Sequence, residues 1–423
     1  MKRNIYFWAF PLRMGIRTSC IGLIIFSSSL RAEESPLVVM PLSVSIPSAP
    51  TPSAPTPPTS TRTVVEDIHL EAHGFVSFGY LRTWDNNVYA NDTIGGTSDF
   101  KEAALNAIAR PWERIRIGAQ LFMRDLGRYD NGRVELDWAY VDFQAHAWCD
   151  VQLGRVKIPL GLYNEVQDVD AARTSVFLPQ SVYPNRLRDL LVSVDGGKVA
   201  GRVDFGQPGA FSYTVFGGTK NFSENGAYAT YVGETSRINV TNVQVGPVFG
   251  GMLQWDTPIP NLAMRVTGYQ SKDISVDGTS VSGLAHFVTD SRSFVGSVEW
   301  EPRDWTLAME YLHIDTQGDS TVGATDRPYE FTYDGGYVNA TWHTTSWFEC
   351  YAASEYRHNQ LLGRPSSFGW SWIAAVNFMP LRHWTVKAEY QFQDNSVAVQ
   401  AADNPQGISS HWHQLALKTT VDF

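Results

Sequence analysis

Three sets of basic side chains have the spacing to act together: Arg114, Arg116 and Arg124; Arg155 and Lys157; Lys198 and Arg202. Within each set the separations are even, so an extended chain, whose side chains alternate, carries each set on one face. A guanidinium stays charged and offers a planar pair of donors to carboxylate or phosphate. A row of them along water would hold an anion weakly at several successive points and pass it on. A second group lies between residues 159 and 189, where Glu165, Asp168, Asp170 and Asp189 mix with Arg173, Arg186 and Arg188. The basic rows could equally pair with these acids and fix the segment that carries them. From the sequence, both uses stay open.

A third group, Glu299, Glu310, Glu349, Glu355 and Glu389, comes from the second half of the chain, with Arg357 and Lys387 among it. Collected in one enclosure, these groups would form a basic wall and an acidic wall. No catalytic set competes with them. There is no GxSxG, no HExxH and no matched Ser/His pair, and the ten histidines are scattered, so no enzyme is expected. With no CxxC and no close His/Cys cluster, neither a metal nor a cofactor is expected. The formal charge of -10 argues against a nucleic-acid partner, since such proteins show a net basic field.

The elements that must position these groups are strands. In IRIGAQLFM, Ile115, Ile117, Ala119, Leu121 and Met123 alternate with Arg116, Gly118, Gln120 and Phe122; WTVKAEYQF sets Trp384, Val386, Ala388, Tyr390 and Phe392 opposite Thr385, Lys387, Glu389 and Gln391. FSYTVF, SFVGSVEW and WSWIAAVNF repeat the pattern, and no long amphipathic helix interrupts it. Aromatics reach 13% while charged residues are only 18%, a composition suited to strands and membrane interfaces but too polar for a bundle of membrane helices.

Short breaks fall at RPWE, WCD, GQPG, TPIPN, PRD, HTTS and PLRH, and longer polar segments such as DNNVYANDTIGGTSD and DTQGDSTVGATDRP lie between them. About seven short turns alternating with about eight long loops imply roughly sixteen antiparallel strands. The fold expected is all-β, a transmembrane barrel with short periplasmic turns and long external loops. A bilayer offers no hydrogen bonds to backbone, so the sheet must close. HLEAHGFVSFGYLRTW is expected to pair with the last strand, HWHQLALKTTVDF, leaving Leu415, Leu417, Val421 and Phe423 outward toward lipid. Trp112, Trp148, Trp255, Trp300, Trp305, Trp347 and Trp384 are read as an interfacial girdle. By parity Arg114, Arg116, Arg124, Lys198 and Arg202 face inward, joined by Arg155 and Lys157. The segment from 159 to 189 becomes the third external loop, long enough to suggest a role of its own.

The N-terminal 32 residues pair Lys2, Arg3, Arg13 and Arg17 with the apolar IGLIIFSSSL and read as an export signal. Residues 33–66, rich in Pro, Ser and Thr, read as a disordered or semi-stiff linker, and 67–423 as the barrel. Cys149 and Cys350 are expected to stay unpaired. The alternative readings are an enzyme set in an outer-membrane barrel and an exported carbohydrate-binding β protein; the latter leaves the alternation of short and long connections unexplained.

ALNAIARPWERIRIGAQLFMRDLG, VELDWAYVDFQAHAW, LGRVKIPLGLYNEVQDVDAARTSVFLPQSVY and the terminal Phe423 resemble Gram-negative outer-membrane porins, loosely the phosphate-selective group. The resemblance spans about His69 to Phe423. It implies a sixteen-stranded, trimeric diffusion channel in the cell outer membrane, with lipid around it and small hydrophilic solutes or anions passing through it. It also implies that the third loop, with Glu165, Asp168, Asp170, Arg173, Arg186 and Arg188, folds inward and narrows the passage.

Overall fold

The computed structural model describes residues 69–146, 148–221, 223–361, 363–394 and 399–423. The expected export signal and the expected linker lie outside these residues. Sixteen strands follow one another: β1 (His69–Trp84), β2 (Phe100–Trp112), β3 (Ile115–Leu126), β4 (Arg133–His146), β5 (Cys149–Lys157), β6 (Ser193–Asp204), β7 (Ala210–Asn221), β8 (Asn239–Asp256), β9 (Leu262–Ser280), β10 (Gly283–Trp300), β11 (Trp305–Val322), β12 (Thr325–Trp342), β13 (Phe348–Leu361), β14 (Ser367–Leu381), β15 (Trp384–Asp394) and β16 (His411–Asp422). Each pairs antiparallel with its neighbours in sequence, and β1 pairs with β16, so the barrel is closed.

Alternation decides which face each residue takes. Along β14, Ser371, Ile373, Ala375 and Asn377 are buried inside, while Trp370, Trp372, Val376 and Phe378 are exposed outside. The outer surface is thus apolar where the inner one is polar, the arrangement that lets a closed sheet sit in hydrocarbon. At the seam Phe75 stands opposite Asp422 and Trp84 opposite His413. Phe423 donates its N–H to the Gly74 carbonyl at 2.9 Å and accepts the Gly74 N–H at 3.1 Å. Its ring covers Gly74 so closely that a Cβ there would strike it. The expected girdle tryptophans 112, 148, 300, 305, 347 and 384 are all exposed, whereas Trp255 is half-buried and donates to the Pro208 carbonyl at 2.9 Å.

All seven short turns fall where the sequence places them. The eight long connections need a correction. Val281 and Ser282 alone join β9 to β10, and Gly323 and Ala324 alone join β11 to β12. The polar run DTQGDSTVGATDRP is therefore a hairpin that continues β11 and β12, with Gly323 at φ 61° in the tight turn. These strand ends are polar on both faces, so alternation of hydrophobicity, the signal used to find strands, is missing there. Cys149 and Cys350 are free, on strands far apart in the barrel.

Candidate functional site

After Lys157 the chain leaves the wall, runs through residues 158–192 and returns at Ser193; this stretch includes the short helix α1 (Arg188–Leu191). Its path is marked by bonds to wall strands far around the barrel. The Pro159 carbonyl accepts the Thr267 hydroxyl of β9 at 2.8 Å, and the Gly161 carbonyl accepts Arg265. Leu162 N–H donates to Glu310 of β11 at 2.8 Å. Thr174 donates to Glu349 at 2.9 Å. Val176 and Phe177 N–H groups donate to Glu389 of β15 at 2.7 and 3.2 Å, and Gln180 and Ser181 N–H groups donate to Glu355 of β13 at 3.2 and 2.9 Å. The segment crosses the interior and is fastened on the far wall.

All five glutamates expected on an acidic wall face inward, but as acceptors for this segment. Glu310 also accepts Ser297 at 2.5 Å, Tyr337 at 2.7 Å and the Tyr183 hydroxyl. The fifth, Glu299, accepts the Tyr163 hydroxyl at 3.4 Å. Backbone can come this close only where side chains are absent. Gly161, at φ 56°, lies against Glu310 and Tyr183, and the Ser181 carbonyl lies over Gly335 of β12. Apolar contacts fill the remainder: Ile158, Leu160, Leu162, Leu178, Val182 and Leu191 pack with wall residues such as Phe216, Tyr269, Leu312 and Tyr333.

The segment's own charges are matched at both ends. Asp168 accepts Lys157 at 2.6 Å and Arg188 at 2.5 Å, and Asp137 of β4 meets the same two cations at 3.1 and 2.9 Å; all four side chains are at most 8% exposed. Asp170 meets Lys418 at 2.9 Å, Lys387 at 3.4 Å and Arg173 at 3.2 Å. Lys387 also donates to the Asp170 and Arg173 carbonyls at 2.7 Å each. Glu165 pairs with Lys198 at 2.8 Å. Arg186 stacks on Tyr231 at 5.1 Å. Asp189 accepts the Tyr228 N–H at 3.4 Å.

The basic rows are scattered more widely than parity implies. Arg116, Lys198 and Arg202 face inward, paired with Asp142, Glu165 and Asp256. Arg124 also faces inward, paired with Asp130 and donating to the Asn185 side chain at 3.0 Å. Arg114 is a correction: it lies exposed in the turn between β2 and β3, where strand parity no longer applies, and its carbonyl accepts Gln144 N–H at 2.9 Å. Arg155 is another, since it stands on the outer face with Leu153 and binds Asp195 at 2.6 and 2.8 Å. Lys157 has the same parity but reaches inside, because the chain is already turning into the lumen. The sequence reading missed Asp137, Arg265, Lys418 and Glu102, which accepts Lys418 at 2.5 Å. Lys418 and Glu102 are on the polar faces of their strands and could have been read by parity. Asp137 sits at a register shift opposite Gln120 and Leu121, which hides its inward direction.

External segments cover this assembly. Residues 85–99, 127–132 and 399–410 meet the helix α2 (Ala227–Ser236). Arg128 bridges Glu234 at 2.5 Å and Asp403 at 3.3 Å. Asn86 and Ser409 exchange two bonds of 2.8 Å, and Asn87 and Asn404 exchange bonds of 2.7 and 3.0 Å. Burial pushes the Asp403 carboxyl up to about 6, and the neighbouring Glu234 charge pushes the same way.

A scan against protein-family models finds no match, and a comparison with curated proteins finds none either. Solved structures do match. A loop-L8 deletion mutant of OmpT, an outer membrane protein of Vibrio cholerae, aligns with a TM-score of 0.56 at 13% identity over 84% of this chain and 99% of that one. The anion-selective porin from Comamonas acidovorans aligns with a TM-score of 0.53 at 11% identity over 84% and 100%. The outer membrane channel DcaP of Acinetobacter baumannii aligns with a TM-score of 0.51 at 10% identity over 84% and 97%. The fold is that of outer-membrane porins. At these identities the likeness is one of architecture, a multi-pass outer-membrane β-barrel, and residue roles have to come from the geometry above.

Proposed function

We propose that the chain is a porin, a passive diffusion channel for small hydrophilic solutes whose bore is set by the third external loop. The observation that carries this reading is the loop itself: a closed barrel with an apolar outside holds residues 158–192 within it through bonds to β9, β11, β13 and β15. A loop fastened on the wall opposite its roots divides the interior and limits what passes, in keeping with long loops that carry function. Strong anion guidance gains little support, because Arg116, Arg124, Lys198 and Arg202 each face a carboxylate. Weak selectivity, with size as the main criterion, follows from such compensated walls. Assembly as a homotrimer belongs to the same reading; a solved form of the Vibrio cholerae protein is described as a trimer.

We read the channel as having no catalytic activity. His313 and His358 meet Asp334 at 2.8 and 3.5 Å on the outer face, away from the lumen. The test is reconstitution in planar bilayers with reversal potentials, alongside liposome swelling with sugars of graded size. Stepwise conductance with a size cut-off and a reversal potential near zero supports the proposal. Purified, heat-modifiable barrel that passes neither ions nor sugars overturns it, and hydrolysis of ester or peptide probes by the same material would favour an enzyme.

A further inference from the structure

The third loop carries one cation without a counter-charge. Arg173 and Arg188 meet carboxylates, whereas Arg186 meets none among the described residues. Its Nε is buried without an acceptor, and the group it touches is the ring of Tyr231 in α2, 5.1 Å away. The other polar groups close enough to act on it are the hydroxyls of Tyr89, Tyr129 and Tyr333. A guanidinium does not give up its charge. Withdrawn from water, it is left short of the bonds that an anion supplies.

Neighbouring donors are in the same condition. Asn185 is held in place, its N–H donating to Gln180 at 2.9 Å and its side-chain oxygen accepting Arg124 at 3.0 Å, yet its Nδ2 is buried and unbonded. Arg357 of β13 and Gln414 of β16 are 2% and 1% exposed. Arg357 binds Glu355 at 2.7 Å through one nitrogen while its Nε, like the Gln414 Nε2, has no acceptor.

The side chain at the centre of these donors is Tyr89, whose hydroxyl lies beside Asn185, Gln414 and Arg357. It reaches there from the cover. Its ring stacks on Phe177 of the third loop at 5.6 Å and meets Tyr129 edge-on at 6.2 Å. Tyr89 and Ala90 stand at φ 61° and 55°, a conformation that L side chains seldom adopt and that persists only where surroundings impose it. Here the Ala90 N–H is tied to Asp403 at 3.1 Å. A strained segment thus presents an oxygen-bearing ring to the unmet donors. A phenolic oxygen has roughly two acceptor positions, too few for Arg186, Asn185, Arg357 and Gln414 together. A carboxylate on the same ring offers two oxygens with about four such positions.

We propose that the space Tyr89 fills, between the loop tip at Asn185 and Arg186 and the wall at Arg357 and Gln414, is a binding site for a small aromatic carboxylate. The acid comes from the external side; its ring replaces that of Tyr89 between Phe177 and Tyr129, and its carboxylate bonds Arg186. The proposal rests on the diffusion-channel reading, to which it adds a class of solute.

The test uses full-length barrel refolded in detergent and titrated at neutral pH with para-fluorobenzoate. Expected is saturable broadening of the probe's fluorine resonance, reversed by benzoate. Acetate, inorganic phosphate and cyclohexanecarboxylate, the last equal in charge but without a flat ring, should each compete about ten-fold less well or worse. Arg186→Gln should raise the dissociation constant about ten-fold, as loss of a charge-assisted bond implies. Tyr89→Ala, which vacates the ring position, should lower it several-fold. Broadening that does not saturate, or equal competition by any of the three other acids, overturns the proposal on the parent protein alone, whether or not the variants fold. An Arg186→Gln constant within two-fold of the parent, or weaker binding in Tyr89→Ala, overturns it as well. Planar-bilayer records on the same preparation separate the two ideas: binding by a barrel that passes no current refutes the channel alone, and current through a barrel that does not bind refutes the site alone.

Discussion

Glu310 offers the sharpest perturbation of the loop's fastening. The side chain is 1% exposed and accepts four hydrogen bonds, two of them from the loop, through Leu162 N–H and the Tyr183 hydroxyl. In Glu310→Ala both loop donors lose their acceptor while the wall around them is unchanged. A buried donor left unpaired costs about 1–3 kcal/mol, so two cost about 2–6 kcal/mol, and water entering the vacated space brings the figure toward about 2 kcal/mol. At ~1.4 kcal/mol per factor of ten, the local open state around residues 161–164 should become roughly 30-fold more populated. Hydrogen exchange followed by mass spectrometry reads this directly, as faster exchange in the peptide containing Leu162, with peptides of β11 and β12 unchanged. Single-channel records should show added substates of larger conductance. Glu310→Gln keeps one acceptor oxygen and should fall between. Unaltered exchange at Leu162 together with unaltered conductance, in a barrel that still shows its heat-modifiable shift, would refute the idea that this carboxyl group holds the loop.

Removing a lumen cation should expose its partner: Arg116→Ala and Lys198→Ala leave Asp142 and Glu165 uncompensated, so reversal potentials should move toward cation preference, most clearly at low salt. Arg188→Leu should destabilise the refolded barrel by about 3–5 kcal/mol in urea titrations, because it strips a buried cation from Asp137 and Asp168. The covering segments should respond to acid. With the Asp403 carboxyl at about 6 in the docked state, above its ordinary range, that state takes up a proton as pH falls through 6, so docking strengthens on acidification and weakens as pH rises from about 4 to about 6; conductance should drop below pH 6, and Asp403→Asn should remove the step. Gly74→Val should lower the yield of heat-modifiable barrel, since its side chain meets the Phe423 ring and the Ala104 carbonyl at the seam.

Much of this architecture is legible in the chain because alternation is local. A residue and its neighbours two places away settle a face without reference to anything distant, so the sixteen strands, the seven short turns and the closure of β1 on β16 follow from pattern alone. Reading fails where the pattern pauses. Arg114 lies in a turn, Asp137 at a register shift, and the ends of β11 and β12 are polar on both faces. Arg155 has the parity of Lys157, and nothing local says that one stays outside while the other follows the chain inward.

The sequence by itself determined the barrel, since closing a sheet in hydrocarbon demands a period-two pattern, and the stretches that cross the membrane display it locally. Tertiary structure alone decided what the inward charges do. Glu389 meets the N–H groups of Val176 and Phe177, and Lys418 meets Asp170, across sequence separations of more than two hundred residues. Such partners are chosen by the path of a loop through three dimensions, and a repeat of two residues carries no record of that path.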